Sequence, residues 1–179
     1  LGCVMATGWA IIEETVETNR QLENVQKTLR SLVDSDSLTG LYNRRRMRGF
    51  LTAMKQPAGM MIFIDVDQFK MINDGWGHAA GDECLQRIAD GLRAEIRPQD
   101  GLFRIGGDEF LVIVPGLDEI ASRNRVARLR SRLANPDNRG IPIQISVGMA
   151  RFDEQTPVDE ALDRADSGMY RDKANRKGL

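Results

Sequence analysis

Two short stretches of this sequence carry carboxylates where a chain usually keeps them out of its interior. In FIDVDQF, residues 63–69, two acids interrupt an apolar run. The strand period of two puts Phe63, Asp65, Asp67 and Phe69 on one face and Ile62, Ile64 and Val66 on the other. Two acids on an otherwise apolar face are costly unless they are paired or bound to a cation. In RIGGDEF, residues 104–110, Gly106 and Gly107 precede Asp108 and Glu109 between the apolar runs GLF and FLVIVP. Read alone, that stretch is a hairpin with Gly-Gly as a two-residue turn, because both central positions accept positive φ. Asp108 and Glu109 are then merely solvated acids at its tip. If the hairpin meets the end of the 63–69 strand, however, three or four carboxylates gather with no local cation, and their repulsion pushes some pKa values upward. Mg²⁺ resolves that conflict. It is hard, prefers oxygen, and is usually held by one or two carboxylates together with substrate phosphates. The glycines would leave room for a phosphate, and the acids would hold the metal it needs.

The remaining chain has to position these groups. It has 179 residues, 41% hydrophobic and 28% charged, which suits one globular domain with an appendage. A net charge of −1 provides no overall field to recruit a nucleic-acid polymer. Cys3 and Cys84 have no metal-ligand spacing, and a reducing, cytoplasmic compartment is the natural reading. The chain opens on Leu1 and is expected to be part of a longer one. Its first twelve residues are apolar but too few to span a bilayer. The inner end of a transmembrane helix, the last element of an upstream sensor and a buried helix end all remain open. Residues 13–33 lack Gly and Pro, and Ile11, Thr15, Thr18, Leu22, Val25, Leu29 and Leu32 follow the 4-3 spacing of a heptad seam. That spacing predicts a helical stalk over residues 1–33; the alternative is a single amphipathic helix lying on its own domain.

From residue 34 to 179 the pattern predicts a turn at SDSLTGLYNRR and a helix over 43–54. A strand over 59–69 follows, then a helix over 78–96 with apolar Leu85, Ile88, Leu92 and Ile96, ended by Pro98. Next come the hairpin, a helix over 117–133 and a strand over 141–152. Thr156 and Pro157 form an N-cap and first-turn proline that open a last helix. Helices alternating with strands around a hairpin imply an α/β or α+β sheet covered by helices.

DSLTGLYNRR, FIDVDQFKMINDGWGHAAGDECL, RIGGDEF, SVG and ADSGMY followed by a lysine occur in that order. Together they resemble the GGDEF domain family, the diguanylate cyclases, over residues 34–179; a lone GGDEF would be weak evidence. The resemblance implies an α+β fold like the palm of polymerases and nucleotidyl cyclases. It implies that two GTP molecules are condensed into cyclic di-GMP by a homodimer. It assigns Asp65 and Asp108 to Mg²⁺, with Mn²⁺ as the alternative ion, helped by the backbone carbonyl of Val66. Glu109 becomes a second essential acid near the metals or the attacking hydroxyl, and Asp67 a structural one. Asn73 and Asp82 become the guanine-reading pair, Asp accepting from the N1 and N2 hydrogens; without the resemblance each reads as a helix cap. Lys70 and Lys173, otherwise ordinary solvated charges, fall on the triphosphate.

The chain departs from the family pattern near its end. DKANRKG puts Lys177 where an arginine is usual, Arg176 where a glycine is usual, and Asp172 where a small residue is usual. Lysine keeps the charge and loses the bidentate fork, and Arg176 is expected to compensate. His78, the only histidine, is expected to be structural, and Cys84 part of the core. RPQD lies just upstream of the hairpin. By itself it is a helix end whose cation suits the dipole, followed by a turn; by resemblance Arg97 and Asp100 form an inhibitory product site, with Arg128 as a third contact by offset. The expected partners are GTP, cyclic di-GMP and a second copy of the chain, with a membrane only through an upstream segment, as in a membrane-anchored sensor with a cytoplasmic output domain. Two rival readings are a degenerate domain that only binds cyclic di-GMP, against which the intact acids argue, and a GTP-binding module that never dimerises.

Overall fold

Every residue of β2 (Gly59–Val66) is buried, as expected of an Ile- and Met-rich run covered by helices on both faces. In the computed structural model, which describes residues 16–22, 34–54, 58–136 and 140–177, this strand belongs to a five-stranded sheet. The spatial order is β1 (Tyr42–Asn43), β3 (Gly101–Arg104), β4 (Glu109–Pro115), β2 and β5 (Ile145–Phe152). β1 and β3 are parallel, and the other pairs are antiparallel. This is the α+β class expected from the sequence.

The chain divides into two units, Leu1–Ser35 and Asp36–Leu179. In the first, residues 16–22 are helical (α1), with Val16 and Leu22 exposed. Of the predicted seam, Thr18 and Leu22 fall in this stretch. Ile11, Thr15, Val25, Leu29 and Leu32 lie outside the described residues, as do Cys3 and the apolar opening. Among the described residues no helix is long and apolar enough to cross a membrane.

In the second unit the helices are α2 (Arg44–Ala53), α3 (Phe69–Trp76), α4 (His78–Arg93), α5 (Glu119–Ala134) and α6 (Val158–Lys177). Strand alternation sorts them into two layers. Met60, Ile62, Ile64 and Val66 of β2 pack with Leu85, Ile88 and Leu92 of α4 and Val126, Leu129 and Leu133 of α5. Met61 and Phe63 face the other way, onto Met47 of α2 and the Ala161–Ala165–Met169 stripe of α6. Cys84 is buried in the first layer, as expected, and His78 is the exposed first residue of α4. Polar residues fix two helix starts. Asn43 Oδ1 accepts from the Arg45 and Arg46 N–H groups, and Asp118 Oδ1 from Ala121 N–H.

Several local expectations are corrected. β2 stops at Val66, and α3 begins at Phe69, where the sequence reading continued the strand. Gln68, between them, takes φ 56°, the one non-glycine positive φ among the described residues. The left-handed residue reverses the chain, so Phe69 packs with the Ile62–Ile64 layer and not beside Asp65. The hairpin loop is residues 105–108 and not a two-residue turn. Arg104 pairs with Phe110, the Ile105 N–H bonds to Glu109 O at 3.0 Å, and neither Gly106 nor Gly107 has positive φ. The last helix opens one residue later than the Thr156 cap implied: the Pro157 carbonyl accepts its first bond, from Ala161 N–H.

The SVG and ADSGMY motifs meet in space. Gly148 of β5 lies against α6 so closely that a Cβ would overlap backbone atoms of Ala165 and Met169, and Gly168 faces it in return. Backbone cannot yield as a side-chain tip can, so this pair sets the height of α6 above the sheet. Gly148→Ala should therefore lower stability by roughly 1–3 kcal/mol or more, read as a reduced denaturant midpoint at an unchanged slope; an unshifted midpoint would show that α6 is free to move away from β5.

Candidate active site

β2 and β4 place Asp65 directly opposite Glu109 in an antiparallel pair, so both side chains emerge on one face at one end of the sheet. The Asp108 carbonyl accepts from Val66 N–H at 3.1 Å, which brings the loop acid to the same strand end. Asp65 is only 5% exposed. Its Oδ1 accepts from Lys173 Nζ at 2.5 Å, across from α6. Burial pushes the Asp65 carboxyl above its ordinary range; the Lys173 ammonium pulls it back, and Asp108 and Asp67 add to the rise. Burial also raises Glu109, with the charges of Asp108, Asp65 and Asp166 acting in the same direction against Lys173. Burial alone would lower the Lys173 ammonium, but its bond to Asp65 and the surrounding acids raise it. The convergence of acids inferred from the two stretches is thus present, with one lysine among them.

The donors suit a hard cation. Asp67 Oδ1 accepts from Ser146 Oγ at 2.5 Å, which ties Asp67 to β5, while its Oδ2 is buried with no hydrogen-bond partner among the described residues. A carboxylate oxygen in that state beside acids already driven upward leaves an unmet demand for positive charge. Among the described residues no three carboxylates, histidines or cysteines gather tightly enough to enclose an ion unaided.

Arg104 holds the loop in place. Its Nε and Nη2 donate to Gly107 O at 3.2 and 2.7 Å, and its Nη1 reaches both carboxylate oxygens of Asp36 at 2.9 and 3.0 Å. Asp36 in turn accepts from Thr39 N–H and Thr39 Oγ1, closing the DSLTG turn. The two motifs lie far apart along the chain, and the arginine that opens RIGGDEF is the residue that links them. Gly106 has its own reason to be glycine, since a Cβ there would collide with the Glu109 carboxylate, whereas Gly107 is open.

The nucleotide residues occupy α3 and α4. Lys70 is exposed in the first turn of α3. The Asn73 side chain lies over Gly81 so closely that a Cβ there could not fit, which sets Asn73 beside Asp82, the next residue. Asp82 is exposed and makes no side-chain hydrogen bond or ion pair to the described residues. Neither is an N-cap: Asn73 is inside α3 and Asp82 inside the first turns of α4, while Gln68 and Gly77 hold the cap positions. Lys177 ends α6, and its side chain lies outside the described part. Arg176 donates from Nε to Asp172 Oδ2 at 3.3 Å, four residues back along α6.

Arg97 and Asp100 lie at the start of β3, the opposite end from the Gly106–Gly107 loop. Asp100 Oδ2 accepts from Arg97 N–H at 2.8 Å and from Arg125 Nη1 at 2.7 Å, and the aspartate is buried. Arg97 itself is exposed. Arg128, the third contact expected by offset, pairs with Glu95 at 2.8 Å; the arginine on Asp100 is Arg125, one turn earlier. RNRVARLRSR offers several arginines at similar spacing, and only the packing of α5 selects among them.

A family profile described as "Diguanylate cyclase, GGDEF domain" matches residues 33–178. The chain belongs to the diguanylate cyclase GGDEF-domain family. This GGDEF domain is 33% identical over 168 residues to diguanylate cyclase DosC of Escherichia coli, covering 87% of this chain and 36% of DosC. It is 32% identical over 181 residues to diguanylate cyclase TpbB of Pseudomonas aeruginosa, covering 94% and 42%. The chain thus spans well under half the length of these relatives. The crystal structure of the GGDEF domain of DgcB from Caulobacter crescentus, in complex with c-di-GMP, superposes with a TM-score of 0.72 at 25% identity, covering 81% of this chain and 91% of that one.

The link from Asp36 through Arg104 to the GGDEF loop has a pH signature. Burial would raise the Asp36 carboxyl, but the Thr39 and Arg104 hydrogen bonds and the guanidinium charge hold it below the ordinary value of 3.8. A depressed carboxyl contributes stability that is complete above the ordinary value and lost as pH falls through the lower folded value. Asp36→Asn should therefore cost about 1 kcal/mol at pH 7, and the gap to the parent chain should close below about pH 4. A gap unchanged at acid pH would mean that the carboxylate charge plays no part in the link.

Proposed function

We propose that this GGDEF domain is a Mg²⁺-dependent diguanylate cyclase that works as a dimer and is restrained by its own product. The observation that carries the reading is the convergence of Asp65, Asp108 and Glu109 at one strand end, with Lys173 as their counter-charge. In the reaction, the 3′-hydroxyl of each GTP attacks the α-phosphorus of the other. Two P–O bonds form, two pyrophosphates leave, and cyclic di-GMP remains. One domain holds one GTP, so two domains must meet with their nucleotides facing.

Asp65 and Asp108, with the Val66 carbonyl, would hold Mg²⁺, which when bound neutralises charge on the phosphates and makes the hydroxyl more acidic. Glu109, directly across the strand pair from Asp65, is placed to accept the hydroxyl proton. Lys173 and Lys70 supply positive charge to the triphosphate, with Lys177 on the same helix as Lys173. The backbone of Gly106 and Gly107, with no side chain open to the loop at Gly107, leaves a loop that a phosphate can approach. Asn73 and Asp82 read the guanine, which is consistent with an Asp82 carboxylate unengaged by the protein.

Purified chain given GTP and Mg²⁺ should form cyclic di-GMP. Asp108→Ala should lower turnover at least about 100-fold with an unchanged melting temperature, because Asp108 sits in a loop and not in the core. Turnover that survives this change would overturn the metal assignment.

Product restraint is assigned to Arg97 and Asp100. Arg97 is exposed, and arginine can bond bidentately to guanine O6 and N7. Arg125, already on Asp100, would orient its carboxylate. The turn and the GGDEF loop lie at opposite ends of β3, which supports inhibition that does not compete with GTP. Progress curves with added cyclic di-GMP should show Arg97→Ala released from inhibition; inhibition as strong as in the parent chain would reduce RPQD to a helix end and a turn.

A further inference from the structure

β5 is the edge of the sheet beside β2. An edge strand presents backbone N–H and C=O groups with no neighbouring strand to satisfy them. Here side chains from both helix layers close that edge. Asp172 Oδ2 accepts from Val147 N–H at 2.9 Å. Arg130 Nη2, from α5 on the opposite face, donates to the same Oδ2 at 2.6 Å and to Ile145 O at 3.4 Å. Arg176, four residues further along α6, adds a third donor at 3.3 Å. One carboxylate oxygen thus binds α6 to the β5 backbone and to α5 around the rim of the sheet.

The placement of this clamp matters for its neighbour. Val147 is opposite Ile64, and Ser146 is opposite Asp65. Lys173, next after Asp172, reaches Asp65 from the same turn of α6. That turn is close to the helix end at Lys177, where helices fray and where the dipole disfavours a negative side chain. Asp172 is tolerated because two arginines meet its charge, and in return the last turns of α6 are held to β5. The Gly148–Gly168 contact fixes the height of α6, and Asp172 fixes its end.

We propose that Asp172 is a positioning residue: it sets the last turns of α6 so that Lys173 stays over Asp65 and is poised for the phosphates of the substrate. This rests on the proposed role of Lys173 toward GTP. Arg176 serves the clamp and not the nucleotide.

The test uses the full chain and two probes, 3′-deoxy-GTP, which lacks the attacking hydroxyl, and guanosine, which lacks the phosphates. Asp172→Ala should weaken 3′-deoxy-GTP about tenfold and leave guanosine unchanged. Asp172→Asn, which keeps an acceptor for Val147 N–H, should recover most of the loss. Equal weakening of both probes, or none, would overturn the positioning role. A stability cycle made without nucleotide reads the same link independently. If Asp172 holds Lys173 on Asp65, Lys173→Met should cost less in the Asp172→Ala background than in the parent chain; additive costs would overturn the proposal. A parent chain that binds neither probe while the cycle is non-additive would overturn the nucleotide reading and keep the clamp.

Discussion

A carboxylate inside a wholly buried strand must be met by positive charge or give up its own. Asp65 is that carboxylate, and much of this architecture answers to it. Lys173 supplies the charge from a helix on the other side of the core, so α6 must lie low over β5. The paired glycines Gly148 and Gly168 allow that approach. A side chain at either position would raise the helix and lengthen the reach of the lysine. The clamp at Asp172 then prevents the helix end from drifting along the strand.

The second constraint is the surplus of negative charge. Asp65, Asp67, Asp108 and Glu109 outnumber the lysine that faces them, and burial and mutual repulsion drive Asp65 and Glu109 upward. A fold that only had to be stable would not gather them. The cluster instead suits a site that receives a divalent cation together with a phosphate-bearing ligand. Its supports are rigid: a strand pair sets Asp65 and Glu109, and a backbone hydrogen bond joins Val66 to Asp108. Arg104 then ties the loop to the DSLTG turn, where the domain begins. One guanidinium thus bonds both Asp36 of that turn and the Gly107 carbonyl.

β3 gives the domain a natural separation of roles. It is four residues long, with the Arg97–Asp100 turn at one end and the Gly106–Gly107 loop at the other. The turn and the acid cluster are therefore separated by the length of that strand. Of the five arginines of α5, Arg123 pairs with Glu119 within the helix, and the other four reach Glu95, Asp100 and Asp172, so this basic helix is less a free cationic face than a set of pairings across the domain.

The sequence by itself determined the kinds of group and their local frames. Apolar runs marked β2, β4 and β5. The ordered motifs were enough to recognise the family. These are local properties, set by period, propensity and spacing along the chain. What only the tertiary structure decided are relations between distant segments. It showed that Lys173 meets Asp65 and that Arg125 meets Asp100. It engaged Arg176 with Asp172, and it ended the strand at Val66 through a left-handed Gln68. In the loop it made Gly106 a matter of room for Glu109 and not of positive φ. The physical reason is common to all of them. Side-chain partnership across a core depends on which helix faces are buried and how closely they approach the sheet, and a linear pattern with several arginines at similar spacing leaves that choice to packing.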